Sequence, residues 1–410
     1  MDALELTGLL RKYDVPVPRY TSYPTVPFWN NDAFTTCGWI DAVRRSFNES
    51  NSEKGISIYI HLPFCESLCT YCACNTRITR NHKVESVYLE ALAREWQMYK
   101  DIFGSQPVIR QIHLGGGTPT FFSAPNLERL TKMLLTSSRI HQDCEFSFEG
   151  HPNNTTYEHL KVLYDLGFTR VSYGVQDLNE NVQKAINRIQ PFSQLKLVTE
   201  QSRSIGYTSV SFDLVYGLPL QTSLTVSETM HNVLELKPDR LSFYSYAHVP
   251  WIKPGQRGYE DKDLPTDVEK RQLYETGRML VKANGYEDIG MDHFALPHDS
   301  LFKASENGTL HRNFMGYTTA PTKLLIGLGA SAISDATYAY AQNKKTVEEY
   351  QTDVSNGKLA VFKGHLLSER DIHNRKRILG IACEGNISLS RAESSDTEIM
   401  ETLCEMQGEG

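Results

Sequence analysis

Four cysteines fall within ten residues of this chain: Cys65, Cys69, Cys72 and Cys74, in CESLCTYCAC. A loop so dense in thiols has to be delivered to whatever it binds, and that requirement limits the folds open to the segments around it. The remaining cysteines, Cys37, Cys144, Cys383 and Cys404, lie far apart and read as small apolar fillers. The chain opens MDALELTGLL, with an early acid and no basic stretch, so no export signal is expected and a disulfide knot is disfavoured. The expected setting is a reducing cytoplasm. Structural zinc usually takes two ligand pairs held apart by a longer loop. C-x3-C-x2-C on one short loop instead suits three corners of a 4Fe–4S cube, with the fourth iron left open. The cluster is the favoured reading and zinc the alternative.

Composition narrows the partners. A net charge of −7 argues against a nucleic-acid binder, which usually carries a basic stripe. An apolar fraction of 40% without a long apolar run fits a globular chain with no membrane span. An anionic small substrate stays open, because a few arginines in a cleft suffice. At 410 residues, two to three domains or one barrel with an appendage are expected.

From Gly55 onward, short β-rich runs alternate with helical ones. Strands are expected at 56–60, 108–114, 145–149, 170–175, 209–217, 240–247 and 286–295. Helices are expected at 83–103 and near 125–136, 156–166, 179–188, 193–204, 225–236 and 267–284. This order predicts right-handed βαβ units in an α/β fold, a partial (β/α)6 barrel over residues 55–300. Residues 1–54 show little regular pattern, and Pro16, Pro18, Pro24 and Pro27 predict an extended arm. Within 301–410, LLIGLGASAIS (324–334) suits a buried strand or tight turn, and 345–410 reads as helical and charged.

In parallel α/β folds, ligands bind at the carboxyl ends of the strands. The first expected strand ends in the cysteine loop and the second in GGGTPT (115–120). The next four end at Glu149, at Gln176, around Asp213, and at Ala247 and His248. Three glycines make a plain tight turn, or a bare backbone that lets a ligand approach closely. Glu149 reads as a strand-end salt bridge or as a carboxylate for ribose hydroxyls. Gln176 and Arg188 suit helix capping and solvation as well as ligand contact. Asp213 interrupts an apolar strand, where a lone acid is expensive without a partner, so a functional role is favoured.

YIHLPFCESLCTYCACNTRITR resembles the oxygen-independent coproporphyrinogen III oxidase (dehydrogenase) family within the radical S-adenosylmethionine superfamily. RYTSYPT, YSYAHVP, GMDHFALP and HRNFMGYTT carry the resemblance across roughly residues 12 to 380. It implies that Cys65, Cys69 and Cys72 bind one 4Fe–4S cluster, and that Cys74, though present in the family, does not. Tyr59, Gly116, Glu149 and Ile333 would contact the S-adenosylmethionine bound to the cluster. Tyr71, Gly117, Thr118, Gln176, Arg188, Asp213 and Ala247 would contact a second one. Arg19 and Arg312 are candidates for substrate carboxylates, with residues 1–54 folding across the site. The implied reaction converts two propionates of coproporphyrinogen III to vinyl groups, giving protoporphyrinogen IX. A 5′-deoxyadenosyl radical is its agent, and an external electron donor such as flavodoxin or ferredoxin feeds a monomeric enzyme. His151 and Leu296 stand where family members often have Asp and Arg. The family's closing helical domain is longer than the residues here, so an incomplete one is expected. A heme-binding chaperone and a heme-opening radical enzyme are the rivals. Cys74, the RYTSYPT arm and HRNFMGYTT speak against the chaperone.

Overall fold

Along β1 (Ile56–Leu62), Ile56, Ile58, Ile60 and Leu62 are fully buried on one face while Ser57, Tyr59 and His61 take the other. The same alternation in β2 (Val108–Gly116) sets Ile112 and Leu114 against Gln111 and His113. The computed structural model, which describes residues 22–389 and 397–409 together with Lys12, turns this pattern into a partial barrel. Its apolar exterior lies under helices, and its interior is polar.

The barrel continues through β3 (Arg139–Gly150), β4 (Phe168–Gln176), β5 (Ser209–Tyr216) and β6 (Arg240–Ser245), all parallel and in chain order from β1. The helices that follow α1 (Thr36–Ser50) cover it. These are α2 (Val84–Phe103), α3 (Ala124–Thr136), α4 (Tyr157–Asp165), α5 (Glu180–Ala185), α6 (Phe192–Ile205), α7 (Ser223–Glu235) and α8 (Asp267–Ala283). The expected (β/α)6 order is therefore present.

Three expectations need correction. Residues 36–50 are not part of an extended arm: α1 buries Trp39, Val43 and Phe47 on one face, with Phe47 stacked 4.3 Å from Phe103. The i, i+4, i+8 spacing of these three was the signal, and the prolines upstream masked it. Residues 286–295 form a hairpin rather than one strand. Its arms are β7 (Glu287–Gly290) and β8 (His293–Ala295), joined through Met291 and Asp292, both at positive φ. Finally, 345–410 is not helical throughout. After α9 (Ser300–Glu306), β9 (Leu325–Leu328) joins β1 in parallel on the side away from β2. Next come β10 (Ile333–Asp335), β11 (Ala339–Asn343), α10 (Val347–Ser355) and β12 (Val361–Leu366), whose strands add on antiparallel. The remaining helices are α11 (Glu369–Glu384) and α12 (Thr397–Glu409). The finished sheet has 12 strands, in the order β12-β11-β10-β9-β1-β2-β3-β4-β5-β6-β8-β7.

Charge closes one mouth of the barrel. Near the amino ends of the strands Arg170 pairs with Glu145, and Arg240 with Asp299 at 2.7 Å. Ser209 donates to Asp299 at 2.9 Å and Thr319 to Glu145 at 3.1 Å. The carboxyl ends of the strands, where the cysteine loop begins, form the other mouth.

Candidate functional site: a cysteine loop over the barrel mouth

The cysteine loop is closed at its neck by a short parallel pairing of Phe64–Cys65 with Arg77–Ile78. It leans on the end of α5, where Thr70 N–H donates to Ile186 at 3.0 Å and the Asn187 amide to Leu68 at 2.7 Å. From the opposite side the segment after β6 clamps it. Gln256, fully buried, donates to the carbonyls of Tyr71 and Ala247 at 3.2 Å each and accepts from Val249 N–H at 2.6 Å. Lys253 donates to the Cys74 carbonyl at 3.1 Å. Neither Gln256 nor Lys253 was anticipated. A polar residue in a PGQRG turn carries no sequence sign that it will be buried.

Cys65, Cys69 and Cys72 line one cavity of about 280 Å³ with Tyr71, Thr118, His151 and Arg188. Thr118 lies 3.2 Å from the Cys65 sulfur, and the Arg188 guanidinium 3.6 Å from that of Cys69. Burial pushes the Cys65 thiol up to about 11, while hydrogen bonding with Cys74 draws Cys72 down to about 6. Cys74 is exposed and does not line the cavity. Among the described residues, no three His, Cys, Asp or Glu side chains converge on a single-ion site. Three thiols on one short loop that line a single cavity can take three corners of a 4Fe–4S cube and leave the fourth iron open. The donor set therefore fits a 4Fe–4S cluster, whose iron would hold the thiols deprotonated.

The glycine turn follows from close approach. A Cβ on Gly115 would lie 2.9 Å from the Glu149 carboxylate, and one on Gly117 2.7 Å from the Pro63 backbone. Gly116, at φ +109°, has the His61 ring at 2.6 Å from where its Cβ would stand. Gly116 N–H donates to Glu149 at 3.1 Å, and His113 meets the same carboxylate at 3.4 Å. Burial opposes the charge of Glu149, but these two partners outweigh it and hold the carboxyl below its usual range. The Tyr59 ring stacks on His113, with its hydroxyl 3.0 Å from His61 Nδ1. Thr118, one residue past the glycines, joins this group to the thiols.

Other predicted residues fall around the same mouth. Arg188 lies beyond α5, after Asn187 at positive φ, and donates to the Gly174 carbonyl at 2.6 Å. Gly174 leaves room for both Arg188 and the Gln176 amide, which any Cβ there would strike. Asp213 accepts from Ser172 at 2.9 Å, and burial pushes its carboxyl up to about 6. Ala247 is reached through Gln256. Ile333 opens β10, and its backbone packs on Gly327, the β9 partner of Tyr59. Arg312 does not line the cysteine cavity. It is buried in a hairpin of His311–Asn313 with Gly316–Thr318, its guanidinium 4.6 Å from the Tyr317 ring. Leu296 lies near the closed mouth, its N–H on the Asp239 carbonyl at 3.0 Å. Arg19 falls outside the described residues.

This barrel and its cysteine mouth are those of the radical SAM superfamily, whose family model matches residues 59–233. The relatives narrow it further. Oxygen-independent coproporphyrinogen III oxidase of Pseudomonas aeruginosa is 38% identical over 388 residues, covering 94% of this chain and 84% of the relative. The protein of that name from Escherichia coli is 39% identical over 386 residues, covering 94% of this chain and 83% of its own. A solved structure of the Escherichia coli coproporphyrinogen III oxidase, described as a radical SAM enzyme, superposes with a TM-score of 0.85 at 39% identity. It covers 92% of this chain and 84% of that one. The chain belongs to the oxygen-independent coproporphyrinogen III oxidase family.

Proposed function

We propose that this chain oxidatively decarboxylates two propionate side chains of coproporphyrinogen III to vinyl groups, giving protoporphyrinogen IX without oxygen. The observation that carries the reading is the joining of two groups at one barrel mouth. Three cysteine thiols share a cavity, and Thr118 links them to the Gly115–Gly117 turn and Glu149. When bound, a cluster and S-adenosylmethionine would supply the radical that takes hydrogen from the propionate β-carbon; carbon dioxide would then leave as one electron passes to an external one-electron acceptor. The protein's part is placement. Cys65, Cys69 and Cys72 hold the cluster, leaving Cys74 outside it. The Gly116 turn, Glu149, Tyr59 and Ile333 receive one S-adenosylmethionine. Tyr71, Gly117, Thr118, Gln176, Arg188, Asp213 and Ala247 receive a second.

Arg19 and Arg312 are the proposed partners of the substrate carboxylates, with Arg312 buried and its guanidinium 4.6 Å from the Tyr317 ring. The reading extends to a cytoplasmic monomer supplied by a flavodoxin or ferredoxin. Among the described residues no helix is long and apolar enough to cross a membrane. The test is anaerobic incubation of reconstituted protein with S-adenosylmethionine, reductant and coproporphyrinogen III, followed by chromatography of the tetrapyrroles. Protoporphyrin is expected only when S-adenosylmethionine is present, and never with Cys65→Ala. Heme bound tightly without turnover would favour a chaperone, and a zinc-loaded, iron-free protein would overturn the assignment.

A further inference from the structure

His151 follows Gly150, the last residue of β3, and begins a turn that fixes its ring. Its carbonyl accepts from Asn154 N–H at 2.9 Å and Thr155 N–H at 3.0 Å. Its Nδ1 accepts from Asn153 N–H at 3.2 Å. The Asn153 side chain in turn donates to the Ile189 carbonyl at 2.8 Å, tying this turn to the segment that carries Arg188. A ring whose Nδ1 accepts must carry its proton on Nε2 when neutral. Nε2 meets no hydrogen-bond partner among the described residues, and the side chain lines the cavity shared by Cys65, Cys69 and Cys72.

We propose that His151 donates a hydrogen bond from Nε2–H to a sulfur of the cluster held by these three cysteines, raising its reduction potential. The proposal rests on the cluster reading given above. Reduction adds negative charge to the iron–sulfur unit, so a donor aimed at its sulfur stabilises the reduced form more than the oxidised one. Arg188, 3.6 Å from the Cys69 sulfur, acts on the same charge from another wall of the cavity. His151 is thus a positioning and tuning residue; it is no ligand of the cluster.

The test compares the anaerobically reconstituted parent with His151→Leu and His151→Gln, without S-adenosylmethionine. Iron and sulfide are quantified first, and the midpoint potential is then followed by electron paramagnetic resonance. His151→Leu is expected to make reduction about tenfold less favourable, a fall of about 59 mV for a one-electron couple. His151→Gln, which keeps an N–H at a similar reach, is expected to retain most of the parent potential. In parent protein with 15N-labelled histidine, a weak nitrogen coupling to the reduced cluster is expected. Full clusters with equal midpoints in parent and Leu variant would overturn the proposal. So would an absent coupling, or one as strong as a ligating imidazole gives. If His151→Leu takes up no cluster, the labelled parent alone decides. A parent that takes up no cluster overturns the underlying cluster reading instead, which separates the two failures.

Discussion

Asp213 shows how one residue can be conspicuous in sequence and still need the structure to be understood. It is an acid in the otherwise apolar stretch SVSFDLVYG, and the fold turns it to the polar interior beside Ser172. Burial pushes its carboxyl from 3.8 to about 6, so the folded protein keeps that proton at pH values where the unfolded chain has lost it. The resulting stability is fully present below the unfolded value and is lost as pH rises through about 6. Asp213→Asn, fixed in the neutral form, is expected to match the parent near pH 4 and to melt higher than it near pH 7.5. Calorimetric melting of both across that range checks the sign. A variant that melts lower at the higher pH would mean that the charged form has partners in the fold. The cysteines were as legible as Asp213, since their spacing favours a cube over a zinc tetrahedron. Gln256 was not, because its burial depends on a contact with Tyr71, distant in sequence.

At the scale of elements, the strands of the barrel could be read from their β-rich runs, and their carboxyl ends drew attention to the site. The seat of β9 could not be read in the same way. It depends on Glu95 of α2, an acid in a helix rich in Glu, Arg and Lys. Glu95 is fully buried and accepts from Gly329 N–H at 2.8 Å, the Asn343 amide at 2.6 Å and the Tyr350 hydroxyl at 2.6 Å. Tyr88, from the same helix, donates to the His61 carbonyl at 2.9 Å and accepts from Ala330 N–H at 2.8 Å. One helix face thereby ties the loop between β9 and β10 to the end of β1, just before the cysteine loop begins. Glu95→Ala strands three donors in the interior and is expected to cost roughly 3 kcal/mol or more. Urea unfolding with the midpoint and slope fitted together measures it. A change under about 0.5 kcal/mol, the ordinary range of a surface substitution, would show that water replaces the carboxylate without loss.

For the whole molecule, the polar barrel interior divides the work between its two mouths. The carboxyl-end mouth gathers its thiols and an imidazole around a cavity, with a glycine turn and a carboxylate beside it. The amino-end mouth uses its charges up. Arg240 is held by Asp299 and Ser300, Glu145 by Arg170 and Thr319, with Arg240 and Asp299 almost wholly buried. Such a network is stable only when complete, because removing one partner leaves the other as an uncompensated buried charge. Arg240→Met is therefore expected to cost about 3–5 kcal/mol. Arg240→Met combined with Asp299→Leu is expected to recover part of that loss, since no lone carboxylate remains. Because the network lies at the mouth opposite the cysteine loop, both variants should still take up iron and sulfide normally well below their melting temperatures. Thermal melting together with iron content at low temperature separates the two effects. Full stability with impaired cluster uptake would mean that the two mouths are coupled through the polar interior, rather than one bracing the barrel that the other uses.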